Sequence, residues 1–390
     1  MKLAYVVPRY GAQVIGGAEY GARMLAERLV SMVGWDVEVL TTAALDAGTW
    51  ADELPLGTTS EAGVTVHRFT VTGTRHPQFD RLSPPVLDDP AAATAAAQEA
   101  WIDRQGPVSP ELIDAIRSSD ADLVAFYPYL YHPTVAGVPA AAGRAVMHPA
   151  AHDEAPIRLP LFRDVFAGVE GFVFQTDGER ALVEGLFPIA HRRRLVLGLG
   201  VEPEEGDATA ASDALGLGDR PYLLCIGRVD DGKGVQTLTR FFATYKERHR
   251  GPLALVLLGP VVDRPEPHPD LVLTGQVDDA IKWGALRSAL ALVNPSGYEA
   301  FSLVVVEAWS AGIPVLVNRR CAATAEHVAR SAGGFAFDSY ASFEVELERL
   351  SADASLRRRL AEAGGAYVSA RFLWPAVIER YTSFLEGVRR

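Results

Sequence analysis

Short apolar runs alternate with amphipathic segments along most of the chain. In the first half, Val- and Leu-rich runs are typical of buried parallel strands. They cover residues 3–7, 36–41, 64–69, 123–127, 144–147, 171–175 and 194–197. After the first run, Ala18, Ala22 and Leu25 recur at helical spacing, which predicts a helix over 18–30. Strands that alternate with helices predict an α/β domain.

The same alternation restarts in the second half of the chain. Apolar runs cover residues 222–226, 253–258, 271–274, 290–293 and 313–317. Between the halves, residues 203–220 are acidic and poor in large apolar side chains, which predicts the domain boundary. Because α/β domains bind ligands beyond the carboxyl ends of their strands, we expect the active site between the two domains.

Two further segments have compositions of their own. Residues 75–110 are rich in Pro and Ala, with a helical stretch at 91–101, and we interpret them as an insertion that either shapes an acceptor pocket or lies on the surface. Residues 371–388 are predicted to be helical past Pro375, with an aromatic and aliphatic face.

Composition narrows the class of protein. The 390 residues suit two domains, and no apolar run approaches 18 residues, so we expect a cytoplasmic protein without a secretory signal. A net charge of -12 argues against a nucleic-acid partner. Cys225 and Cys321 lie far apart without CxxC spacing, so neither a disulfide nor a zinc cluster is expected.

The segment from Gly227 to Gly234, GRVDDGKG, directly follows the YLLCI strand and imitates the start of a phosphate-binding Walker A loop. Gly234 stands where that loop has the Ser or Thr that binds magnesium. Arg228 and Lys233 would instead neutralise a diphosphate directly. The alternative is a surface turn whose two cations are only solvated.

A second motif, NPSGYEAFSLVVVEAWSAGIPVLV, begins at Asn294 and predicts a helix from Ser302 to Gly312. Ser302 is the expected N-cap, and the N–H groups that follow it would face an anion. Glu299 lies in the loop and Glu307 on the helix, where carboxylates suit hydroxyl groups of a sugar and of a ribose. The alternative is that both are ordinary solvated acids. Glu307, however, has apolar neighbours, and a charge in such surroundings needs a partner.

Together, GRVDDGKG and EAFSLVVVE resemble the donor half of the GT4 family of retaining glycosyltransferases. The resemblance implies that Arg228 and Lys233 hold the donor diphosphate, that Glu299 meets the transferred sugar, and that Glu307 meets the ribose. It also implies that GQVDDA, with Val277, borders the nucleotide base. The implied donor-binding set is Gly16, Gly17, Arg228, Lys233, Val277, Glu299, Ala300, Phe301, Ser302, Leu303, Val304 and Glu307.

The first domain contributes to the resemblance at two places. Gly16 and Gly17 correspond to the family's glycine turn facing the donor phosphates, and the following Glu19 is expected to pair with Arg23. In MHPAAHDEAP, His152 matches the family histidine that reaches the transferred sugar, with Asp153 to orient it and His148 as the reserve candidate. Two histidines four apart suit a metal on a helix, but Pro149 and the missing HExxH order argue against one, so no metal site is predicted.

The implied fold is GT-B, an α/β architecture of two Rossmann-like domains facing each other across a cleft. Residues 1–200 would bind the acceptor, 201–372 the nucleotide sugar, and 373–390 would form a helix crossing back to the first domain. The implied activity is that of a metal-independent, retaining hexosyltransferase, with His152, Glu299, Arg228 and Lys233 as catalytic residues. No cofactor is expected besides the donor substrate, for which a UDP-sugar is the default.

Other functions stay open from the sequence. A nucleotide-sugar epimerase of similar fold and a non-catalytic sugar-nucleotide-binding protein would use the same donor site, whereas a phosphorylase-like enzyme would need a pyridoxal-phosphate lysine. The acceptor is a glycan, a lipid-linked intermediate or a small molecule, and a homodimer is compatible with the sequence. The basic run 191–194 allows peripheral contact with the inner membrane face, but such a short run before a strand is more often a solvated edge.

Overall fold

The computed structural model describes residues 1–14 and 16–389. The chain divides into two compact units, unit 1 with residues 1–198 and the chain from Val377 onward, and unit 2 with residues 199–376. The segment 203–220, predicted as the boundary, therefore lies inside unit 2. Its middle forms a helix in which Ala211 and Leu215 are buried. The sequence analysis did not predict this helix, because its small alanine side chains give little contrast between an apolar and a polar face.

Unit 1 is built on an eight-stranded sheet. Its strands are β1 (Lys2–Val6), β2 (Asp36–Thr42), β3 (Gly57–Glu61), β4 (Val64–Phe69), β5 (Leu123–Phe126), β6 (Ala145–Met147), β7 (Gly171–Phe174) and β8 (Arg193–Val196). The strand order is β3-β4-β2-β1-β5-β6-β7-β8, and all neighbours are parallel except the antiparallel pair β3 and β4. Parallel strands require crossover connections, which the helices supply.

The helices of unit 1 follow the predicted alternation. They are α1 (Gly17–Arg28), α2 (Phe79–Leu82), α3 (Pro84–Leu87), α4 (Ala95–Gln105), α5 (Pro110–Ser118), α6 (His132–Ala140), α7 (Leu161–Ala167) and α8 (Asp177–Leu186). A π-helical turn, Leu29–Val33, extends α1, and 3-10 turns cover Pro90–Ala92 and Ala155–Arg158. The Pro- and Ala-rich segment thus contains α2, α3 and α4, which pack onto the unit 1 core through Phe79, Trp101 and Ile102.

Unit 2 has a six-stranded, fully parallel sheet. Its strands are β9 (Tyr222–Ile226), β10 (Ala254–Leu258), β11 (Leu271–Gly275), β12 (Ala291–Asn294), β13 (Val315–Asn318) and β14 (Gly334–Phe337), in the order β11-β10-β9-β12-β13-β14. Its helices are α9 (Ala208–Leu215), α10 (Val235–Arg248), α11 (Asp279–Ser288), α12 (Leu303–Ser310), α13 (Ala322–Ser331), α14 (Tyr340–Ala352) and α15 (Ala354–Arg371). Successive residues of β9, such as Leu223 and Leu224, belong to different core clusters, because side chains alternate across a sheet.

Each sheet contains one point where the strand order reverses. In unit 1 it lies between β1 and β5, and in unit 2 between β9 and β12. The loops that leave two such strands diverge to opposite faces of the sheet, so a crevice forms at their carboxyl ends. Both motifs singled out in the second half of the chain follow the strands β9 and β12.

The last helix, α16 (Trp374–Arg389), contributes a buried hydroxyl to unit 1. Tyr5 Oη donates to Tyr381 Oη at 2.8 Å, and His148 Nε2 lies 2.8 Å from the same hydroxyl. Val377, Tyr381 and Leu385 are fully buried. The predicted apolar face of this helix is therefore observed, and it is anchored by a polar contact that periodicity alone does not show.

Candidate functional site

The two motif loops of unit 2 meet at its strand-order reversal. Gly234 has φ 73°, and a Cβ there would lie 2.5 Å from the Pro295 carbonyl oxygen. Gly227 has φ 138°, and its N–H donates to the Leu258 carbonyl. The close approach to Pro295 explains why residue 234 is glycine, and the positive φ favours glycine at residue 227.

The first loop carries two cations, and one of them, Lys233, contacts the second loop. Lys233 Nζ is 2.8 Å from Glu299 Oε1, so the structure brings together one residue from each motif. Arg228 Nη2 is 3.1 Å from Asp230 Oδ2, and the Arg228 side chain is 57% exposed. Asp230 Oδ1 also accepts the Lys233 N–H at 2.8 Å, which holds the loop in shape. The two cations remain accessible to an anionic ligand.

The start of α12 supplies hydrogen-bond donors beside these cations. The Val305 N–H donates to the Ser302 carbonyl, so the N–H groups of Leu303 and Val304 precede the first bond of the helix. Ser302 does not cap the helix with its side chain, contrary to the sequence expectation. Its Oγ instead accepts from Asn294 Nδ2 at 2.7 Å. The helix start is thus open to an anion.

Glu307 has the partner that its apolar surroundings require. Lys282 Nζ, on α11, is 3.1 Å from Glu307 Oε1 and 2.8 Å from Asp279 Oδ1. Burial raises the pKa of Glu307, and the Lys282 charge opposes that rise. Burial alone would lower the pKa of Lys282, but Glu307 and Asp279 outweigh it and raise that pKa. Lys282 is thus the cationic partner of the Glu307 carboxyl group.

The other predicted donor residues of unit 2 are either buried or partly exposed. Phe301 is buried, with its ring 4.8 Å from His327 and 5.2 Å from Phe372, so only its backbone remains for a ligand. Ala300, Leu303, Val304 and Val277 are partly exposed. Phe301 therefore anchors the loop that carries Glu299.

In unit 1, the glycine turn is organised by an arginine that the sequence analysis did not single out. Arg9 Nε donates to Glu19 Oε1 at 2.9 Å, and both side chains are buried. The expected Glu19–Arg23 pair is wrong, because Arg23 pairs with Glu27 at 3.2 Å. A Cβ at Gly16 would collide with the Glu19 carboxylate, whereas Gly17 has open space around it.

The two histidine candidates differ sharply in environment. His148 is fully buried, stacks on Tyr127 at 5.0 Å, and burial lowers its pKa to about 3. It is a neutral core histidine. His152 is partly exposed on the loop after β6. Asp153, expected to orient His152, instead accepts from Arg158 at 2.6 Å.

Glu179 is a buried carboxylate that the sequence analysis missed. It lies in the first turn of α8, where Oε1 accepts the Ala151 N–H at 2.9 Å and Oε2 accepts the Gln175 N–H at 2.6 Å. It thereby ties together the loops after β6 and β7 and supports Ala150, whose φ of 50° is unfavourable for a non-glycine residue. On the sequence it resembles an ordinary helix-start acid, so only burial reveals it.

Glu179 should make the chain less stable as the pH rises. Burial raises its pKa from the ordinary 4.5 to about 7. The folded chain holds this proton more tightly than the unfolded chain does. The protonated carboxyl group therefore stabilises the fold fully below pH 4.5, and this stabilisation is lost as the pH rises through about 7. Between pH 5 and pH 8, wild type should lose roughly 2–3 kcal/mol relative to Glu179→Gln, which does not titrate. Urea unfolding of both proteins measures this, and a pH-independent difference would contradict it.

Within residues 1–14 and 16–389, the structure bears on metal binding, on membrane spanning and on the basic run 191–194. No three His, Cys, Asp or Glu side chains come together as a metal site. None of the helices described is both long and apolar enough to span a bilayer. In the basic run, Arg192 pairs with Glu170 and Arg194 with Glu184, so two of its three arginines are neutralised locally.

Comparison with known proteins bears on this arrangement. The family model described as glycosyl transferases group 1 matches residues 208–366. The matched residues all lie within unit 2. The chain is 30% identical over 176 residues to the lipopolysaccharide core biosynthesis glycosyltransferase LpsE of Rhizobium meliloti, which is 43% of this chain and 50% of that relative. It spans half or less of the length of the curated relatives it matches.

Solved structures show the fold of this chain. Sucrose-phosphate synthase from Thermosynechococcus elongatus superposes with a TM-score of 0.68 at 17% identity, over 99% of this chain and 98% of that one. HepE from Anabaena, solved with UDP and glucose, gives 0.68 at 14% identity, over 99% and 100%. The predicted GT-B fold, with two Rossmann-like units, is confirmed.

The family match covers only part of the predicted site. Arg228, Lys233, Glu299 and Glu307 all lie within 208–366, where the structure pairs Lys233 with Glu299. The predicted residues of unit 1, including His152, lie outside that range and stay predictions from the resemblance.

Proposed function

We propose that this chain transfers a sugar from a nucleoside-diphosphate sugar to an acceptor hydroxyl. The observation that carries the proposal is the meeting of Lys233 with Glu299 where the strand order of unit 2 reverses. A cation for phosphate and a carboxylate for sugar hydroxyls lie side by side there, next to the open N–H groups of α12. The family match over the same residues supports the proposal.

The chemistry follows from where charge develops. The bond from the anomeric carbon to the diphosphate breaks with its electron pair on the diphosphate, and the acceptor oxygen bonds to that carbon. In a front-face displacement with retention, the acceptor proton passes to the departing phosphate oxygen. Arg228, Lys233 and the N–H groups of Leu303 and Val304 would stabilise the departing charge.

The two glutamates would orient the donor. Glu299, one residue after the strongly exposed Tyr298, would accept hydrogen bonds from the transferred sugar. Glu307 would accept from the ribose hydroxyls, and the adjacent Lys282 charge favours the ionised carboxylate that this role needs. In unit 1, His152 is our candidate for contact with the transferred sugar.

Three finer features belong to the same proposal. Membership of GT4 and retention rest on the motif resemblance. Independence from metal is supported by Gly234, which has no hydroxyl for magnesium, beside two accessible cations. A UDP-linked donor is supported by the neighbour HepE, whose structure contains UDP. The proposed acceptor class is a sugar or glycan hydroxyl.

Thermal unfolding with nucleotides tests the proposal. UDP, GDP and ADP are each added with EDTA, at about 100 times the dissociation constant expected for a micromolar site. Binding to the folded chain at that excess stabilises it by about 2.7 kcal/mol, or roughly 5–10 °C for a unit of this size. The matched nucleoside monophosphate should shift the Tm far less, because it lacks the β-phosphate. No shift with any diphosphate would overturn the donor site.

A further inference from the structure

The start of α12 departs from ordinary helix capping in a way that bears on the proposed site. A serine before a helix normally turns its Oγ back to accept the N–H of the second or third helical residue. Here Ser302 has φ 70° and makes no such bond. The left-handed conformation is unfavourable for a serine, and it persists only where the surroundings impose it.

Asn294, the last residue of β12, provides that constraint. Its Nδ2 donates to Ser302 Oγ at 2.7 Å, and its Oδ1 accepts the Ser296 N–H at 3.0 Å. Asn294 and Ser302 are both buried, with 6% and 7% of their surfaces exposed. One amide therefore closes both ends of the loop that carries Glu299.

The hydrogen bond also determines what the helix start can bind. While Ser302 Oγ accepts from Asn294, it is turned away from the backbone of α12. The N–H groups of Leu303 and Val304 then remain for a ligand. If Asn294 were lost, Ser302 would be free to relax and cap its own helix, thereby competing with an incoming anion.

We propose that the Asn294–Ser302 hydrogen bond is a positioning device that keeps Ser302 from capping α12 and so reserves the helix start for the donor diphosphate. The inference rests on the proposed donor site in unit 2. It goes beyond that site, because Asn294 is buried and would act through Ser302.

A double-mutant cycle tests this inference. We expect Asn294→Ala to weaken nucleoside diphosphate binding about tenfold, because Ser302 then caps the helix. Ser302→Gly adopts a positive φ easily and has no Oγ, so its affinity serves as the reference value for the double variant. The double variant should recover the affinity of Ser302→Gly, because no hydroxyl is left to compete.

Titration calorimetry measures each affinity, with the diphosphate of uridine, guanosine or adenosine that stabilises wild type most. The control is Ser310→Ala, which removes a side-chain bond to Val306 at the other end of α12 and should leave affinity unchanged. A Tm for each variant shows that it is folded. If Asn294→Ala unfolds, Asn294→Leu replaces it, because leucine is similar in size to asparagine and cannot donate to Ser302 Oγ.

The outcomes separate the inference from the proposed function. Recovery in the double variant supports the inference, because a purely structural defect would persist without Asn294. If Asn294→Ala binds like wild type, or the double variant stays as weak as Asn294→Ala, the inference is overturned while the donor site stands. If wild type binds no diphosphate, the proposed function fails and the inference fails with it.

Discussion

Replacing Lys233 with alanine should weaken nucleoside diphosphate binding about 10- to 100-fold. Lys233 is the cation that links the two motif loops, and a charge-assisted hydrogen bond contributes about 1.5–3 kcal/mol. Its removal also leaves the Glu299 carboxylate, whose side chain is only 17% exposed, without its cation beside the diphosphate. Titration calorimetry at fixed ionic strength measures the effect, because salt screens such contacts.

A second substitution separates the lost attraction from the new repulsion. The single variant Lys233→Met leaves the Glu299 carboxylate without its cation. The double variant Lys233→Met, Glu299→Gln removes that carboxylate charge as well, so its nucleoside diphosphate affinity should lie between those of Lys233→Met and wild type. Arg240→Ala removes an exposed cation from α10 in the same unit and serves as the control. Equal affinities for Lys233→Ala and Arg240→Ala would exclude Lys233 from the diphosphate site.

Glu307→Gln should separate nucleoside recognition from phosphate recognition. If Glu307 accepts from the ribose hydroxyls, the amide loses charge-assisted bonds and nucleoside diphosphate affinity falls about tenfold or more. Affinity for inorganic pyrophosphate should change little, because Arg228, Lys233 and the helix start are unaltered. Competition between the two ligands on the same preparation measures both affinities.

The same variant should lower stability, since it leaves Lys282 in a largely buried site. Losing one partner of a fully buried pair costs about 3–5 kcal/mol. Here Lys282 is about one-fifth exposed and retains Asp279, so we expect roughly 1–2 kcal/mol. Adding Lys282→Met should restore stability but not nucleoside affinity. Parallel loss of pyrophosphate and nucleoside diphosphate binding would indicate a general defect instead.

Hydrophobic pattern predicted most of the fold, and its failures have physical causes. The strands missed were β3, an antiparallel edge strand with the polar sequence GTTSE, and β14, a four-residue GFAF edge strand. No residue of β3 is buried, and β14 is short with only two buried residues, so neither sequence has a clear apolar run. The central strands were all found, because parallel strands covered on both faces need continuous apolar residues.

The sequence by itself determined the two α/β units, the loops that follow β9 and β12, and the residue types that suit a diphosphate and a sugar. These properties are local, because they depend on spacing along the chain. Only the tertiary structure decided the partners of Glu19, Glu307 and Ser302, and the burial of Glu179. Hydrogen bonds and ion pairs of buried groups join residues from separate elements, such as Asn294 on β12 with the residue before α12, so their geometry appears only once the strands are packed side by side.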